Sequence, residues 1–568
     1  MSSAEWDAVT DCLMVGSGGG ALCGALAAST AGRQVLVVEK TDVVGGSTAM
    51  SGGVLWLPDN PVSARAGVED SRSDALRYFE AVVGKDVPSA SPERVAAFLD
   101  AITPMVEFLE RQGIPFRHCE GYSDYYDDRA GGKARGRSLE TELFDTKQLG
   151  PWQQRFRISE TLPAIPMYTA EVAATTRGVR TWKSAVTMAK VGARLAAAAL
   201  RGRSVRGSGA ALQGWMLLAA VRADIPIWTS TQVTELLEDE NGAVVGVCAI
   251  RDGRTIRIRA RDGVLINSGG FSHNAGMREK YGRSPASTGW TVANPGDTGE
   301  VLQAAIELGA ATDLMDEAWW IPSSVLPDHS PLYAVYERSK PHAIMVDGTG
   351  ERYVNEAASY MEVGQAMYER NAVAPAIPSW WIMDSRNRLR YMWGMSPGGL
   401  TPRQWISSGY MIKAGSIAEL ADRCDIDRAS LEKTIERYNA SAAEGKDPDF
   451  AKGERAYDRY YGDPRVRPNP CVAPVNRPPF YAVALYPGDV GTCGGLVTDS
   501  DARVLRADGT VIDGLYATGN CTASVMGRTY PGAGASIGAS FVFGWRAIGH
   551  MTRRIAGTGD SEQDRSRA

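Results

Sequence analysis

Residues 519–538 read GNCTASVMGRTYPGAGASIG and hold five glycines in twenty positions. Packed helices and strands avoid such density, because glycine loses more backbone entropy on folding than other residues do. The next segment, ASFVFGWRA at 539–547, is typical of a helix. Bare backbone N–H groups ahead of a helix attract negative charge, and Tyr530 stands among them on a Pro-Gly turn. This stretch is interpreted as the wall of a cofactor site that also polarises a substrate oxygen.

The N-terminus supplies the other half of that site. An apolar strand is predicted at 7–15 and a helix at 22–28, and a second strand at 34–38 ends in Glu39. The residues between the first strand and the helix are Gly16, Ser17, Gly18, Gly19, Gly20 and Ala21. This G-x-G-x-x-A pattern, with an acid 21 positions after Gly18, matches the dinucleotide fingerprint. The pyrophosphate is expected on the helix N-terminus and the ribose hydroxyls on Glu39.

Length and composition limit the class of protein. A chain of 568 residues predicts about two to four domains. A net charge of −5 argues against a nucleic-acid partner. No 18 consecutive apolar residues occur, so no transmembrane segment is predicted. The eight cysteines lack C-x-x-C spacing, which favours a reducing, cytoplasmic location.

A second glycine- and hydroxyl-rich loop follows Glu39. Its sequence at 45–53 is GGSTAMSGG, and it contributes the candidate residues Gly46, Ser47, Thr48, Ser51, Gly52 and Gly53. Flexible loops share this composition. The position just after the acidic residue favours a cofactor contact, because the flavin end of a dinucleotide would arrive there and hydroxyl groups suit its polar edges.

Two other segments leave alternatives open. The loop GYSDYYDD at 121–128 holds three tyrosines, which either cover a surface or line the edge of an apolar pocket. The basic, alanine-rich stretch 180–206 is amphipathic and allows peripheral contact with an anionic membrane. A solvated helix is the favoured interpretation there, since its apolar side is mostly alanine.

The chain is predicted to be an α/β protein in which one domain is inserted into another. Tryptophan and tyrosine become frequent from 274 to 481, and the glycine-rich texture stops. A second, substrate-binding domain is therefore expected at 274–481, inside a nucleotide-binding domain formed by 1–273 and 482–568. We expect this tryptophan- and tyrosine-rich segment to line a deep, apolar substrate cleft between the two domains. The polar tail 558–568 is predicted to be disordered.

Several motifs resemble a known family. The N-terminal fingerprint, the GGSTAMSGG loop and GLYATGN at 514–520 resemble flavoproteins of the succinate dehydrogenase/fumarate reductase superfamily. Within that superfamily the chain is similar to 3-ketosteroid delta-1-dehydrogenases. The motifs that carry this similarity are GYSDYY at 121–126, DEAWW at 316–320, RYVNEAASY at 352–360, YDRYYGD at 457–463 and VMGRTYPGAG at 525–534. Two departures, Cys493 for a common lysine and Arg528 for a common histidine, leave substrate preference open.

The resemblance implies a Rossmann-type FAD-binding domain with an inserted α+β catalytic domain. It implies that Tyr360 takes a proton from carbon 2 while the flavin N5 takes a hydride from carbon 1. Tyr530 and the Gly534 N–H would hold the 3-keto oxygen, and Tyr126 would support the base. Further FAD contacts are implied for Lys40, Val233, Gly269, Gly270, Asp297, Gly519, Asn520, Gly534, Ala535, Ser536 and Ile537. The five histidines show no metal-ligand spacing, so no metal is expected.

Rival functions remain at this stage. A dicarboxylate enzyme would need clustered arginines, for which Arg338 and Arg352 are candidates. The other rivals are a 4-ene-forming steroid dehydrogenase, a dehydrogenase of another enone and a non-enzymatic flavin protein. Judged without the family, Tyr126 and Tyr360 are ordinary core aromatics. The expected partners are a 3-ketosteroid and an electron acceptor that the sequence leaves unidentified.

Overall fold

The computed structural model describes residues 6–85, 87–159 and 165–565, with residues 554–565 as backbone. Its strands are β1 (Ala8–Val15), β2 (Val35–Val38), β3 (Leu55–Trp56), β4 (Phe116–His118), β5 (Ser138–Thr141), β6 (Phe144–Asp145), β7 (Val205–Arg206), β8 (Ile227–Trp228), β9 (Thr231–Glu238), β10 (Val244–Arg251), β11 (Arg254–Ile266), β12 (Thr312–Asp313), β13 (Ala318–Val325), β14 (Pro331–Tyr333), β15 (Ala343–Val346), β16 (Ser379–Met383), β17 (Met411–Ala414), β18 (Phe480–Thr492), β19 (Gly495–Leu496), β20 (Arg503–Leu505) and β21 (Val511–Ala517).

The α-helices cover the sheets and carry much of the polar surface. They are α1 (Gly19–Thr30), α2 (Gly46–Met50), α3 (Pro61–Arg65), α4 (Arg72–Val82), α5 (Pro92–Arg111), α6 (Thr169–Thr175), α7 (Trp182–Leu200), α8 (Ser208–Arg222), α9 (Ala275–Tyr281), α10 (Glu300–Glu307), α11 (Tyr360–Asn371), α12 (Ser385–Arg390), α13 (Arg403–Ser407), α14 (Ile417–Cys424), α15 (Arg428–Ala442), α16 (Ala456–Tyr460) and α17 (Ala535–Arg565). Short 3-10 helices occupy Pro88–Ala90, Thr146–Arg155, Thr288–Trp290 and Gly519–Cys521.

The first sheet is mixed and has a parallel centre. Its order is β20-β21-β11-β1-β2-β8, with β10 and β9 added antiparallel beside β11. The predicted strands are confirmed: Met14 of β1 pairs with Val37 on one side and Leu265 on the other. The four residues of β2 and the last four of β11 are all buried, as expected for parallel strands covered on both faces. A turn at Asn241-Gly242 joins β9 to β10.

The second sheet is antiparallel and lies in the middle of the sequence. Its order is β14-β13-β18-β16-β15, and β17 also pairs with β18. Strand β18 runs past residue 482, where the return to the first domain is expected, so that boundary falls inside a strand. Met277 and Leu302, from α9 and α10 after residue 274, pack in the same core cluster as Leu13 of β1.

Helices α1 and α17 cross in close contact beside the first sheet. A Cβ on Gly544 would clash with the carbonyl oxygen of Gly20, and one on Gly19 would clash with the Phe541 ring. Helix α17 is described as backbone as far as residue 565, and residues 566–568 lie outside the described residues, so the disorder expected for 558–568 stays a prediction. In the described part of the chain, no helix is both long and apolar enough to cross a bilayer.

Candidate active site

The first sheet opens at its carboxyl edge into one large cavity, here called the main cavity. Its volume is about 640 Å³. It begins at Gly16, Glu39 and Ser47 and extends without interruption to the tyrosines Tyr125, Tyr360 and Tyr530. The glycine-rich segments and two of the three predicted catalytic tyrosines, Tyr360 and Tyr530, therefore share one space.

The fingerprint forms the turn that the sequence predicts. Gly16 follows β1 with φ +103°, in the region that favours glycine, and a Cβ there would clash with the carbonyl of Asn267. Gly18 is the N-cap of α1 and provides no side chain to cap it. A Cβ on Gly18 would approach the Asn267 Oδ1 to 2.7 Å. Gly18 thus places no side chain of its own at this end of α1, and its N–H donates to no other described residue, which leaves it for a phosphate.

Glu39 lies at the end of β2 with its carboxylate buried. Its Oε2 accepts from the Ser17 hydroxyl at 2.6 Å and from the Ser17 N–H at 3.2 Å. Its Oε1 accepts from the N–H and the hydroxyl of Thr41 at 3.0 and 2.9 Å. A carboxylate offers about four acceptor positions. A ribose bound here would therefore have to replace the Ser17 or Thr41 hydroxyl as a donor.

The second glycine-rich loop folds as α2 against the fingerprint. The Thr48 hydroxyl accepts from the Gly19 N–H at 3.0 Å, and Ser47 donates to Asp297 at 3.0 Å. Burial raises the pKa of Asp297 to about 7, although the Ser47 hydroxyl opposes this shift. A Cβ on Gly52 would meet no protein atom within 4 Å, so open space lies beside the backbone there. This glycine cradle fits a flat, polar-edged ligand.

Most of the residues expected to bind the cofactor line the main cavity. They are Gly16, Ser17, Gly18, Glu39, Lys40, Gly46, Ser47, Thr48, Ser51, Gly52, Val233, Gly269, Asp297, Gly519, Asn520, Gly534, Ser536 and Ile537. Six others lie behind that wall, in the fold around it: Gly19, Gly20, Ala21, Gly53, Gly270 and Ala535. Gly53 and Gly270, for example, pack against Ser208 and Thr492. Lys40 pairs with Glu300 at 3.0 Å.

Asn267 is a site residue that the sequence interpretation missed. It follows β11 directly, and its Oδ1 accepts from the Ala21 N–H at 3.1 Å. Its amide donates to the carbonyl of Thr518 at 2.9 Å and contacts Ser540 at 3.1 Å. One side chain therefore ties α1 to the stretch 519–538. Its position between a buried strand and the Gly269-Gly270 pair is the signal that could have marked it.

Tyr530 and Gly534 lie in the turn that leads into α17. Gly534 has φ +87°, and a Cβ there would clash with the carbonyl of Val54. Gly534 donates no hydrogen bond to another described residue. Its N–H precedes the first turn of a long helix, where the positive end of the helix dipole lies. The Tyr530 hydroxyl is 3.3 Å from the Ser536 hydroxyl.

Tyr360 is the first residue of α11. The guanidinium of Arg338 donates to the carbonyls of Glu356 and Ala358 at 2.6 and 2.9 Å, which fixes the turn ahead of it. The Tyr360 ring lies 5.0 Å from the Tyr530 ring, centroid to centroid. Burial raises the pKa of Tyr360 well above its usual value, and the neighbouring Tyr530 hydroxyl adds to the effect. Tyr360 is therefore a neutral phenol at rest.

Tyr125, rather than Tyr126, completes this group. The Tyr125 ring lies 5.4 Å from that of Tyr360 and 5.7 Å from that of Tyr530. Its N–H donates to the Pro531 carbonyl at 2.9 Å. The preceding Asp124 is anchored by Arg137 at 2.8 Å.

Tyr126 was expected to support the base, but the structure does not bring it to the main cavity. Successive residues of this loop point in different directions, and the Tyr126 ring lies under the guanidinium of Arg455, 5.7 Å away. Burial raises the pKa of Tyr126, and Glu362 adds to this. The tyrosine loop was expected either to cover a surface or to line a pocket. Tyr122 and Tyr125 line the cavity, whereas Tyr126 does not.

The aromatic lining also differs from the expectation. Tyr333 and Tyr336 line the cavity, whereas none of the tryptophans between 290 and 405 does. Several of them are used elsewhere: Trp319 donates to Asn520 at 3.0 Å and Trp320 to Glu317 at 2.7 Å. Neither Cys493 nor Arg528 lines the cavity. Arg528 pairs with Asp316 at 2.8 Å, and Cys493 is buried.

Comparison with known proteins gives consistent results. The family model described as "FAD binding domain" matches residues 11–537. A 3-oxosteroid 1-dehydrogenase of Mycobacterium tuberculosis is 40% identical over 95% of this chain and 98% of its own. The structure of 3-ketosteroid delta1-dehydrogenase from Sterolibacterium denitrificans, in complex with 1,4-androstadiene-3,17-dione, has a TM-score of 0.91 at 36% identity, covering 96% of this chain and 100% of its own. A 4-oxocyclohex-2-ene-1-carboxylate 5-dehydrogenase of Sinomonas cyclohexanicum is 33% identical over 96% of this chain and 94% of its own.

Proposed function

Since the chain belongs to the FAD-binding flavoprotein family that includes the 3-oxosteroid 1-dehydrogenases, we propose that it is an FAD-dependent oxidoreductase that introduces a carbon 1–carbon 2 double bond into 3-ketosteroids. The observation that carries this proposal is the continuity of the main cavity. One end is a glycine cradle at the N-terminus of α1, and the other holds Tyr360, Tyr530 and Gly534. The cradle fits FAD, because its glycines, hydroxyls and buried acid match the parts of a dinucleotide.

FAD, when bound, supplies the hydride acceptor for carbon 1. The chain's own residues then have to acidify carbon 2 and take its proton. Tyr530 and the Gly534 N–H are proposed to donate to the 3-keto oxygen, where negative charge develops as the proton leaves. The start of α17 strengthens this arrangement, because its dipole favours negative charge at that point. Neither donor has to reorganise during the reaction.

Tyr360 is proposed to accept the proton from carbon 2. Its raised pKa means that the phenolate is scarce at neutral pH, so the hydroxyl proton must leave for the oxygen to act as a base. We propose that this proton leaves to solvent through the main cavity before the substrate binds, and that Tyr125, whose ring lies 5.4 Å away, supports the phenolate that remains. The Tyr125 hydroxyl lies 3.4 Å from that of Tyr122, and Tyr461 donates to Tyr122 at 3.3 Å. These contacts between phenols favour Tyr125, in place of Tyr126, as the residue that assists Tyr360.

An anaerobic visible spectrum tests the proposed function. Purified, yellow protein should lose its flavin absorbance when a saturated-A-ring or 4-ene 3-ketosteroid is added, and the product should carry a new 1,2 double bond. Bleaching with 4-oxocyclohexanecarboxylates and none with steroids would favour the other enone substrates. Bleaching with a 5α-saturated steroid that yields only a 4-ene would assign the reaction to the other steroid position. The electron acceptor that reoxidises the flavin is left open.

The inserted-domain arrangement is part of the proposal. Strands of the first sheet occur at 8–38, 227–266 and 503–517, on both sides of the second sheet's strands at 318–492. This order supports a substrate domain inserted in a nucleotide-binding domain. Its bounds are better placed near Ala311 and Thr492 than at 274 and 481, because α9 and α10 pack on the first sheet and β18 lies in the second.

Peripheral membrane contact is a further part of the proposal, and α7 is the element that supports it. Trp182 and Leu200, at its two ends, are 83% and 89% exposed. Met188, Val191 and Leu195 of the same helix line the main cavity. Sedimentation with vesicles containing anionic lipid should carry the wild type and less of a Trp182→Ser variant. If the two proteins sediment equally, or if neither sediments with the vesicles, the proposed membrane contact is wrong.

A further inference from the structure

Glu337 is a buried carboxyl group in the wall of the main cavity, and the reaction described above does not use it. Its side chain is 5% exposed. Its Oε1 accepts from the Gly394 N–H at 3.0 Å. Its Oε2 is buried and has no hydrogen-bond partner, and no ion pair to Glu337 occurs, within the described residues. Because an unpaired buried carboxyl oxygen is costly, such a group calls for a ligand.

The surroundings of Glu337 are largely apolar. Leu332 and Val335, close to Glu337 in sequence, line the cavity, as do Met392 and Met395 on either side of Gly394. Burial raises the pKa of Glu337, while the Gly394 N–H, Lys340 and Arg338 oppose the shift. A carboxyl group in such a place can accept from a hydroxyl when it is ionised, and can donate to an oxo group when it is protonated. In either state its natural partner is an oxygen atom on an otherwise apolar molecule.

Glu337 is separated from the reacting tyrosines by a series of ring contacts. From Tyr360 the series runs to Tyr125 at 5.4 Å, Tyr122 at 6.3 Å, Tyr461 at 6.2 Å and Tyr336 at 5.0 Å. Glu337 is the residue after Tyr336. The main cavity is lined both by these tyrosines and by Glu337, so a fused-ring substrate whose ketone lies between Tyr360 and Tyr530 could extend its far end toward Glu337.

We propose that Glu337 binds a hydroxyl or oxo group on the D-ring end of the fused-ring substrate and so selects oxygenated steroids. The inference rests on the proposed function, because it needs the ketone to be held at Tyr530 and Gly534. The competing explanation is that Glu337 serves only to hold Gly394. The two explanations predict different results when the carboxyl group is removed. Support of Gly394 alone predicts weaker binding of all steroids, whereas the proposed contact predicts weaker binding only of steroids with the D-ring oxygen.

The test measures binding of two 3-keto-1,4-diene steroids that differ only by a D-ring hydroxyl. These compounds already carry the new double bond, so they perturb the flavin spectrum without reducing it. Wild-type holoenzyme should bind the hydroxylated steroid about 10- to 100-fold more tightly than the deoxy steroid. Glu337→Met should bring the two dissociation constants to within about threefold of each other, with deoxy binding unchanged. Glu337→Gln, which keeps an acceptor for Gly394 and a polar group in the cavity, should retain part of the preference.

Three results would overturn the inference. The first is a wild type that binds both steroids equally. The second is a Glu337→Met variant that loses affinity for both to the same extent, which assigns the residue to the support of Gly394. The third is a flavin spectrum that neither steroid perturbs. Flavin reduction by a saturated 3-ketosteroid is measured in parallel, so that a protein that binds with the expected preference but is not reduced would contradict the proposed reaction alone.

Discussion

Replacing Tyr360 with Phe removes one oxygen and keeps the ring. The ring contacts at 5.0 Å to Tyr530 and 5.4 Å to Tyr125 need no new packing. The cost to folding is at most one hydrogen bond of a buried phenol, about 1 kcal/mol. The cost to catalysis is the acceptor of the carbon 2 proton, on the order of 10²-fold or more in the rate of flavin reduction, or about 2.7 kcal/mol of barrier. The catalytic effect should therefore far exceed the effect on stability.

The assay is anaerobic stopped-flow reduction of the flavin by a 3-ketosteroid, with flavin content and thermal midpoint measured for each variant. The wild-type rate should rise with pH, because the pKa of Tyr360 is raised and only its deprotonated oxygen can accept a proton. Tyr360→Phe should lose that dependence as well as the rate. Tyr530→Phe removes a donor to the ketone, a loss also on the order of 10²-fold. The double variant should lose less than the product of the single losses, since both residues act on one enolisation.

A Tyr360→Phe protein that reduces its flavin at the wild-type rate would refute the assignment of the base. A protein that loses its flavin or its fold would instead point to a structural role. The matched control is Tyr368→Phe, a tyrosine of the same helix whose ring packs on Trp320 at 4.9 Å. It should reduce its flavin within about twofold of the wild type, since it touches neither ketone nor base.

Three more predictions follow from single residues. Tyr125→Phe should slow flavin reduction by about tenfold or more, and Tyr126→Phe by less than about twofold, because of the two only Tyr125 adjoins Tyr360; equal effects in stopped flow would contradict the supporting role proposed for Tyr125. Gly18→Val should yield protein without yellow colour, because a Cβ there lies 2.7 Å from Asn267 Oδ1; retained FAD at wild-type stoichiometry would argue against the cradle. Burial lowers the pKa of Lys340 to about 7 from 10.5, so the contribution of its neutral form to stability is present above pH 10.5 and is lost as pH falls to about 7. The thermal midpoint should therefore rise from pH 7 to 9.5, and Lys340→Met should reduce that rise. Thermal melts of both proteins across this pH range test the prediction, and an equal rise in both would contradict it.

Local patterns predicted the cofactor half of the site well. The fingerprint needs only a strand, a turn and a helix that are consecutive in sequence, and β1, Gly16 and α1 fulfil it. The glycines of 519–538 likewise indicated a site from sequence alone, because a positive φ or a close backbone approach allows few residues other than glycine. Gly534, at φ +87° against the Val54 carbonyl, is the clearest case.

Contacts between distant segments decide the rest, and the sequence does not display them. Tyr125 and Tyr126 are neighbours with the same chemistry, and the choice between them depends on the Pro531 carbonyl and on Arg137, which hold the loop from outside. The tryptophans were expected in the cavity because their frequency rises after residue 274. The indole N–H groups of Trp319 and Trp320 instead donate to Asn520 and Glu317, a pairing that composition cannot reveal.

The stretch 519–538 contributes to both halves of the site. Gly519 and Asn520 line the proposed cofactor end of the main cavity, while Tyr530 and Gly534 line the proposed ketone end. Asn267 ties the carbonyl of Thr518 to α1, and Pro531 accepts from Tyr125. A shift of this stretch would therefore change the position of the ketone relative to the flavin, whereas a change at Tyr360 leaves that distance alone. In the proposed mechanism, the geometry of hydride transfer thus depends on one short segment, and the proposed proton acceptor, Tyr360, belongs separately to α11.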